Sequence, residues 1–260
     1  MDLIQSIIIA IVEGLTEFLP ISSTGHMIIA ERLLGVESSD FTKLFIVAIQ
    51  LGAIMAVVVL YWKKFIAFKN WKFYVKLVVA VFPALVLGKL FADKIDDLLE
   101  SPLTVSITML LGGFVLLFID NAFKNPTIEE ESKITYSRAL LIGLWQCVAM
   151  IPGVSRSAAS IIGGMQQKLT RKLSAEFSFF LAVPTMVAAT GYKLLHGYKT
   201  FTSEHIKLLA VGNLVAFVIA VLAIKFFIGY LQKHGFRLFG WYRIIGGMIL
   251  LILILAGYLK

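Results

Sequence analysis

Glu13 and Glu17 stand four residues apart in an otherwise apolar stretch, so in a helix both carboxylates project from one face. Two carboxylates one turn apart in such surroundings repel each other and resist desolvation. A shared proton, a basic partner or a bound cation is needed to keep them there. Hard oxygen ligands so arranged suit magnesium or calcium, and a position at the water interface is the plainer alternative. Ser22-Ser23-Thr24 follows Pro20, where a new helix should begin. A helix start offers unpaired N–H groups and about half a positive charge, a seat for a phosphate oxygen. Hydroxyls there can cap the helix, ligate phosphate, or attack it once a base removes the proton. His26, within the same turn, can act as acid or base near neutrality or make a structural hydrogen bond. A second group lies at Ser155-Arg156-Ser157, with Ser160 one turn on. Arg156 carries a permanent charge on a fork of donors that fits phosphate, and snorkelling from a helix end is the alternative. If the two groups meet, two helix starts, Arg156 and a metal held by Glu13 and Glu17 surround one small anion site. Apolar walls around it favour an anion attached to a lipid.

The composition says what kind of element must hold these groups. The chain of 260 residues is 59% hydrophobic and only 15% charged, with mean hydropathy +0.88, beyond the apolar share of a soluble domain. That balance excludes a soluble enzyme, a disordered tail and a disulfide scaffold. The single Cys147 excludes an intramolecular disulfide or a Cys-rich metal site. At about 20 mostly apolar residues per crossing, the chain has material for roughly six spans and some shorter pieces. Runs near 43–61, 77–92, 103–119, 174–192, 206–224 and 241–258 read as the spans of one compact integral membrane domain covering 1–260.

The net charge of +8 would suggest nucleic acid in a soluble protein. In a membrane protein it reads first as basic cytoplasmic loops, and no nucleic acid partner is expected. Lys63, Lys64, Lys69, Lys72 and Lys76 crowd the connection after the first span, and Lys225, Lys233, Arg237 and Arg243 crowd the fifth. Asp93, Asp96, Asp97 and Glu100 against Lys94 mark the opposite side. The loop at 120–138 goes inside by parity alone, and the C-terminus falls outside. The start, Met1-Asp2-Leu3, carries no basic n-region, so the apolar N-terminus is expected to remain in the mature protein rather than act as a cleaved signal.

Two further apolar stretches are not ordinary spans. Residues 3–19 run into the turn at Pro20 and resume over about 27–34; residues 139–151 run into Pro152-Gly153 and resume over about 158–167. Pro and Gly stop the helix and the hydroxyl residues can cap a new one, which predicts two helix-loop-helix hairpins, each too short to cross twice and so re-entrant. The order of hairpin followed by three helices then occurs twice, over about 1–120 and 138–260. Three full spans per half is an odd number, so the halves must insert in opposite senses, and matching interruptions in an inverted-topology repeat point to the functional site. The expected fold is an all-α polytopic membrane protein with six transmembrane helices and two re-entrant hairpins.

At these residues a resemblance becomes specific. Glu13-Gly14-Leu15-Thr16-Glu17-Phe18-Leu19-Pro20-Ile21-Ser22-Ser23-Thr24-Gly25-His26 resembles the first signature of the undecaprenyl pyrophosphate phosphatase family, membrane proteins also associated with bacitracin resistance. Pro152-Gly153-Val154-Ser155-Arg156-Ser157-Ala158-Ala159-Ser160 resembles the second. The similarity continues through Ala48-Ile49-Gln50-Leu51-Gly52 and Glu176-Phe177-Ser178-Phe179-Phe180-Leu181-Ala182-Val183-Pro184, so it spans essentially the whole chain. One departure is Ser160, where the family usually has threonine; the hydroxyl survives and the methyl is lost.

The resemblance implies hydrolysis of undecaprenyl pyrophosphate to undecaprenyl phosphate and inorganic phosphate, recycling the lipid carrier of bacterial cell-wall synthesis. It implies a plasma-membrane location with the site facing outward. In the working scheme Ser23 is the nucleophile, His26 or Glu17 its proton acceptor, and Arg156 the stabiliser of the terminal phosphoryl group. Glu13 and Glu17 bind a divalent cation, while Ser22, Thr24, Ser155, Ser157 and Ser160 bind or orient the substrate. Direct attack by water fits the same residues. The rival class is a polyprenyl-phosphate flippase or anion transporter, since broken helices in inverted repeats also build transport sites. A homodimer is left open.

Overall fold

A computed structural model of the chain describes residues 1–37, 39–67, 70–99, 101–197 and 202–259, with the side-chain surroundings of 93, 96, 97, 99 and 192–197 left out. Lys69 and Glu100, counted above among the loop charges, lie outside the described residues, as do the side chains of Asp93, Asp96 and Asp97. The described residues are almost entirely helical: α1 (Leu3–Thr16), α2 (Ser23–Leu33), α3 (Asp40–Leu60), α4 (Trp62–Phe65), α5 (Trp71–Leu90), α6 (Ala92–Leu99), α7 (Pro102–Ala122), α8 (Tyr136–Cys147), α9 (Arg156–Gln166), α10 (Arg171–Gly197), α11 (Ser203–His234) and α12 (Arg237–Leu255). Six of these, α3, α5, α7, α10, α11 and α12, are long and apolar enough to cross a membrane, and they fall on the six predicted runs. The chain is a multi-pass membrane protein.

Its solvation pattern is that of a bilayer protein. Phe82, Phe118, Leu222 and Leu255 are among many large apolar side chains left exposed, while Glu13, Ser106, Ser157, Ser160, Ser178 and Arg243 are completely enclosed. Lipid tails accept the first set, and the protein interior takes up polar groups that lipid would not.

The interruptions fall where Pro, Gly and hydroxyl residues placed them. After α1 the chain turns through Pro20, and Ser22 caps α2, its Oγ accepting from the Gly25 N–H at 3.4 Å. After α8 a single 3-10 turn over Val148–Met150 leads through Gly153, and Ser155 caps α9, its Oγ accepting from the Ala158 N–H at 3.2 Å. Both caps sit in the left-handed region, Ser22 at φ 72° and Ser155 at φ 76°. That conformation is uncommon for a residue with a side chain and persists only where the surroundings impose it. The same strained cap therefore opens the second helix of each interrupted pair.

Packing between the halves is reciprocal. α1 lies on α11 and α8 on α5; α3 lies on α11 and α10 on α5; α7 pairs with α12, and α3 meets α10. Small residues allow the closest approaches. A Cβ on Gly52 of α3 would stand 2.7 Å from Asn213 Cα in α11, and one on Gly143 of α8 would stand 2.7 Å from the carbonyl carbon of Ala80 in α5. Backbone-to-backbone contact of this kind is how membrane helices gain dispersion energy when lipid offers no hydrophobic drive.

Several basic residues do not occupy the predicted connections. α11 runs 32 residues to His234, about 48 Å at 1.5 Å per residue and longer than the roughly 30 Å hydrocarbon core. Lys225 and Lys233 are therefore on the helix. Nothing breaks that helix until Gly235, at φ 73°, so a fall in hydropathy did not mean an end of helix. Lys72 and Lys76 lie in the first turns of α5 for the same reason. Lys76 is buried, its Nζ donating to the carbonyls of Glu131 at 2.9 Å and Ser132 at 3.3 Å. Arg243 is not in a connection either; it lies inside α12 and is wholly enclosed. Lys64 Nζ reaches Glu131 Oε2 at 2.6 Å, so the acidic stretch after α7 and the lysine-rich connection after α3 lie at the same end of the bundle.

Gly52→Ala tests the α3–α11 contact. The added methyl meets backbone rather than a movable side chain, and overpacking costs about 1–3 kcal/mol. A lowered thermal midpoint in detergent is expected, and an unchanged midpoint would contradict the contact.

Candidate functional site

The two interruptions meet. Ser157 Oγ of α9 donates to the Leu19 carbonyl in the first turn at 2.8 Å, and Arg156 Nη2 reaches Glu17 Oε1 at 2.8 Å. Ser23 Oγ, at the start of α2, donates to the other oxygen of the same carboxylate, Glu17 Oε2, at 2.8 Å. A continuous chain Ser23–Glu17–Arg156 thus joins one half-helix start to the other. Glu17 stands immediately after α1, where the helix gives way to the turn, so its side chain reaches both.

Arg156 is held from several sides. Nη1 donates to the Ser178 carbonyl at 3.1 Å and to Ser178 Oγ at 3.4 Å, and the guanidinium lies 5.8 Å from the centre of the Phe18 ring. Ser160 Oγ donates to the Arg156 carbonyl at 2.8 Å and lies 2.7 Å from Ser178 Oγ. It is enclosed and spent on internal bonds. Ser157 is equally enclosed, while Ser155 pairs its Oγ with Ser157 Oγ at 3.0 Å while capping α9. Ser157 and Ser160 therefore orient the half-helix from within, while Ser23, Thr24, His26, Ser155 and Arg156 remain partly open.

Glu13 is completely buried, and neither carboxylate oxygen has a hydrogen-bond partner. Glu17 has both oxygens engaged. The uncommitted Glu13 carboxylate suits a hard divalent cation, and Glu17, one turn on, could join it by yielding a contact to Arg156 or Ser23. Among the described residues no third histidine, cysteine or carboxylate joins them. A cation here would complete its shell from phosphate oxygens and water, the usual habit of magnesium.

No hydrogen bond links His26 to Ser23. Its Nδ1 lies 2.7 Å from the Ser22 carbonyl and its Nε2 2.9 Å from Tyr242 Oη, with the two rings stacked 5.5 Å apart. A carbonyl only accepts, so Nδ1 carries the proton, and in neutral imidazole Nε2 then accepts from the Tyr242 hydroxyl. Thr24 sits half-buried in the first turn of α2, outside the chain of bonds that links Ser23 to Arg156.

Three residues of the site escaped the sequence reading. Tyr242 engages His26, and Ser178 engages Arg156. Arg243, grouped above with loop cations, donates to carbonyls of both turns: Pro20 in the first, Gly153 and Val154 in the second. A signal for it exists, because it lies within the apolar run 241–258, and an ionisable residue inside a span is a functional candidate by default. Ser178 stands in the family-like stretch 176–184, which assigns it no role, and nothing in the local sequence marks Tyr242. A cavity of about 340 Å³ lined by Asp120, Lys124, Arg171 and Lys172 shares no residue with this site.

The fold and this junction define a class: a polytopic membrane protein in which two half-helix starts bring together a hydroxyl, a carboxylate and a guanidinium. Residues 6–249 match the family model described as bacitracin resistance protein BacA, and the chain belongs to that family. Proteins named undecaprenyl-diphosphatase are similar over nearly their whole length. That of Flavobacterium psychrophilum is 58% identical, with 97% of this chain and 96% of the relative covered. That of Bdellovibrio bacteriovorus is 52% identical, covering 99% and 98%, and that of Persephonella marina 49%, covering 98% and 100%.

Ser157→Ala removes one of the two donors to the part-buried Leu19 carbonyl, which keeps the Ile21 N–H, at a cost of about 0.5–1.5 kcal/mol. The expected outcome is a lower unfolding midpoint in detergent; retention of the wild-type midpoint would show that the hairpins do not depend on this bond.

Proposed function

We propose that this chain is an undecaprenyl-diphosphatase, hydrolysing undecaprenyl pyrophosphate to undecaprenyl phosphate and inorganic phosphate. It would thereby recycle the lipid carrier for cell-wall synthesis and lower sensitivity to bacitracin. The observation that carries the reading is the Ser23–Glu17–Arg156 chain across two half-helix starts. Glu17 bonds both the Ser23 hydroxyl and the Arg156 guanidinium, which supports reading the three as nucleophile, proton acceptor and phosphate-binding charge. A flippase or anion transporter needs no such hydroxyl–carboxylate contact, and the relatives' names do not favour it.

In the reaction the terminal phosphoryl group sits between the starts of α2 and α9, where N–H groups and helix dipoles favour negative charge. Arg156 exchanges part of its hold on Glu17 for phosphoryl oxygens, which leaves Glu17 free to take the Ser23 proton. Ser23 Oγ attacks phosphorus as the bond to the departing undecaprenyl phosphate breaks. Water then attacks the phosphoserine and releases inorganic phosphate. Phosphoryl transfer rests mainly on such positioning and charge stabilisation. With both ring nitrogens engaged, His26 holds the turn through Ser22 and is one step removed from Ser23; Glu17 is the acceptor. A divalent cation, magnesium or calcium, held by Glu13 and Glu17 would offset pyrophosphate charge. Thr24 and Ser155, both partly open, would meet substrate oxygens, while the buried Ser22 shapes the turn as the cap of α2.

The reading includes two inverted repeats, about 1–120 and 138–260, with α1–α2 and α8–α9 as re-entrant hairpins within one domain. The matched caps Ser22 and Ser155 and the reciprocal packing of α1 on α11 and α8 on α5 support it. The protein would reside in the bacterial plasma membrane with the site open to the outer side.

Arg156→Ala is expected to lower turnover about a hundredfold or more, the scale of losing one preorganised charge-stabilising group, in protein that remains membrane-inserted. The assay is phosphate release from undecaprenyl pyrophosphate by purified protein in detergent, and near-normal hydrolysis would sink the site assignment. Glu13→Gln is expected to abolish or shift the dependence on divalent ions; full activity of the wild type in a chelator would remove the metal from the scheme.

A further inference from the structure

Arg243 has five N–H donors, and every one is accounted for by a backbone carbonyl. Nε donates to Met109 at 3.3 Å. Nη1 donates to Pro20 at 3.3 Å and Val154 at 2.9 Å. Nη2 donates to Thr108 at 3.0 Å and Gly153 at 2.9 Å. The side chain is completely enclosed, and among the described residues no carboxylate forms an ion pair with it. Two of the carbonyls belong to α7, one to the turn before α2, and two to the turn before α9.

We infer that Arg243 is a positioning residue of the phosphatase site, a buried clamp that sets the start of α2 against the start of α9 while reaching no substrate itself. With all donors spent on backbone, it has none left for phosphate. Pro20 lies two residues before the cap Ser22, and Val154 lies directly before the cap Ser155, so displacing the guanidinium displaces Ser23 and Arg156 relative to each other. Its charge is fixed beneath both helix starts without an acidic partner, which favours the anion that enters between them. α7 completes the device. A Cβ at Gly112 would stand 2.7 Å from Arg243 Cζ, so the absence of a side chain there is what lets the guanidinium reach all five carbonyls.

The inference rests on the phosphatase reading for its catalytic consequence, and the experiment separates the two. Three variants are compared with wild type, each normalised to monodisperse, folded protein: Arg243→Ala, Arg243→Lys and Gly112→Ala. Gly112→Ala keeps the arginine and shifts it; Arg243→Lys keeps the charge but has three donors for five carbonyls. Turnover is expected to fall about a hundredfold in Arg243→Ala, the scale of a catalytic misplacement of about 1 Å. A smaller loss is expected in the other two, with KM near the wild-type value throughout because no substrate contact is removed. Hydrogen–deuterium exchange provides a readout independent of activity, with protection expected to drop in peptides covering 17–23 and 151–157 together while α3 and α11 keep theirs. Should Arg243→Ala fail to fold, the other two variants carry the test. Wild-type turnover in folded Gly112→Ala and Arg243→Lys, or retained protection of both turns, overturns the clamp. A wild-type protein that releases no phosphate would instead overturn the phosphatase reading, leaving the exchange result to judge the clamp alone.

Discussion

Backbone polar groups at membrane depth must find partners inside the protein, because lipid offers none. An unbroken helix meets that demand by itself. A helix that stops and restarts does not, and this chain stops twice, before α2 and before α9. The carbonyls of Pro20, Gly153 and Val154 are freed by those stops, and the guanidinium of Arg243 takes all three along with two from α7. Ser22 and Ser155 answer the complementary demand by accepting from the first free N–H groups of the new helices. Without those partners the breaks would be too costly to keep, and the site exists only because of the breaks.

The second constraint is electrostatic. Glu17 and Arg156 are both largely buried, with side-chain exposures of 7% and 14%. Removing either member of such a pair strands the other, at a cost of about 3–5 kcal/mol, so the pair locks the two hairpins together. The donor from Ser23 and the two contacts from Ser178 add to its solvation, while Arg156 Nε is left without a partner. Glu13, one turn earlier, has none of these partners, so two carboxylates of identical type and shared helix face carry different burdens.

Much of the fold was legible because lipid imposes simple rules. Apolar run length marked all six spans, and Pro20, Pro152 and Gly153 marked both interruptions, since Pro lacks an N–H and Gly tolerates the left-handed turn. The errors were of one kind. Lys72, Lys76, Lys225, Lys233 and Arg243 were read as loop because charge usually marks the end of a span, whereas helix ends depend on backbone breakers, and Gly235 rather than Lys225 ends α11. Lys76 escapes the rule by burying its ammonium against the carbonyls of Glu131 and Ser132.

Residue type and spacing alone determined that Glu13, Glu17, Ser23, His26 and Arg156 form two clusters at matched interruptions, because each cluster lies within one or two helical turns. Only the tertiary structure decided how the clusters meet. It set Ser23 against Glu17 rather than His26, gave His26 to Tyr242, turned Ser160 inward to Ser178, and withdrew Arg243 from the orientation signal to stitch the two turns together. Those pairings join residues up to 223 positions apart, and such distances are set by how α7, α9, α10 and α12 pack, which no local pattern encodes.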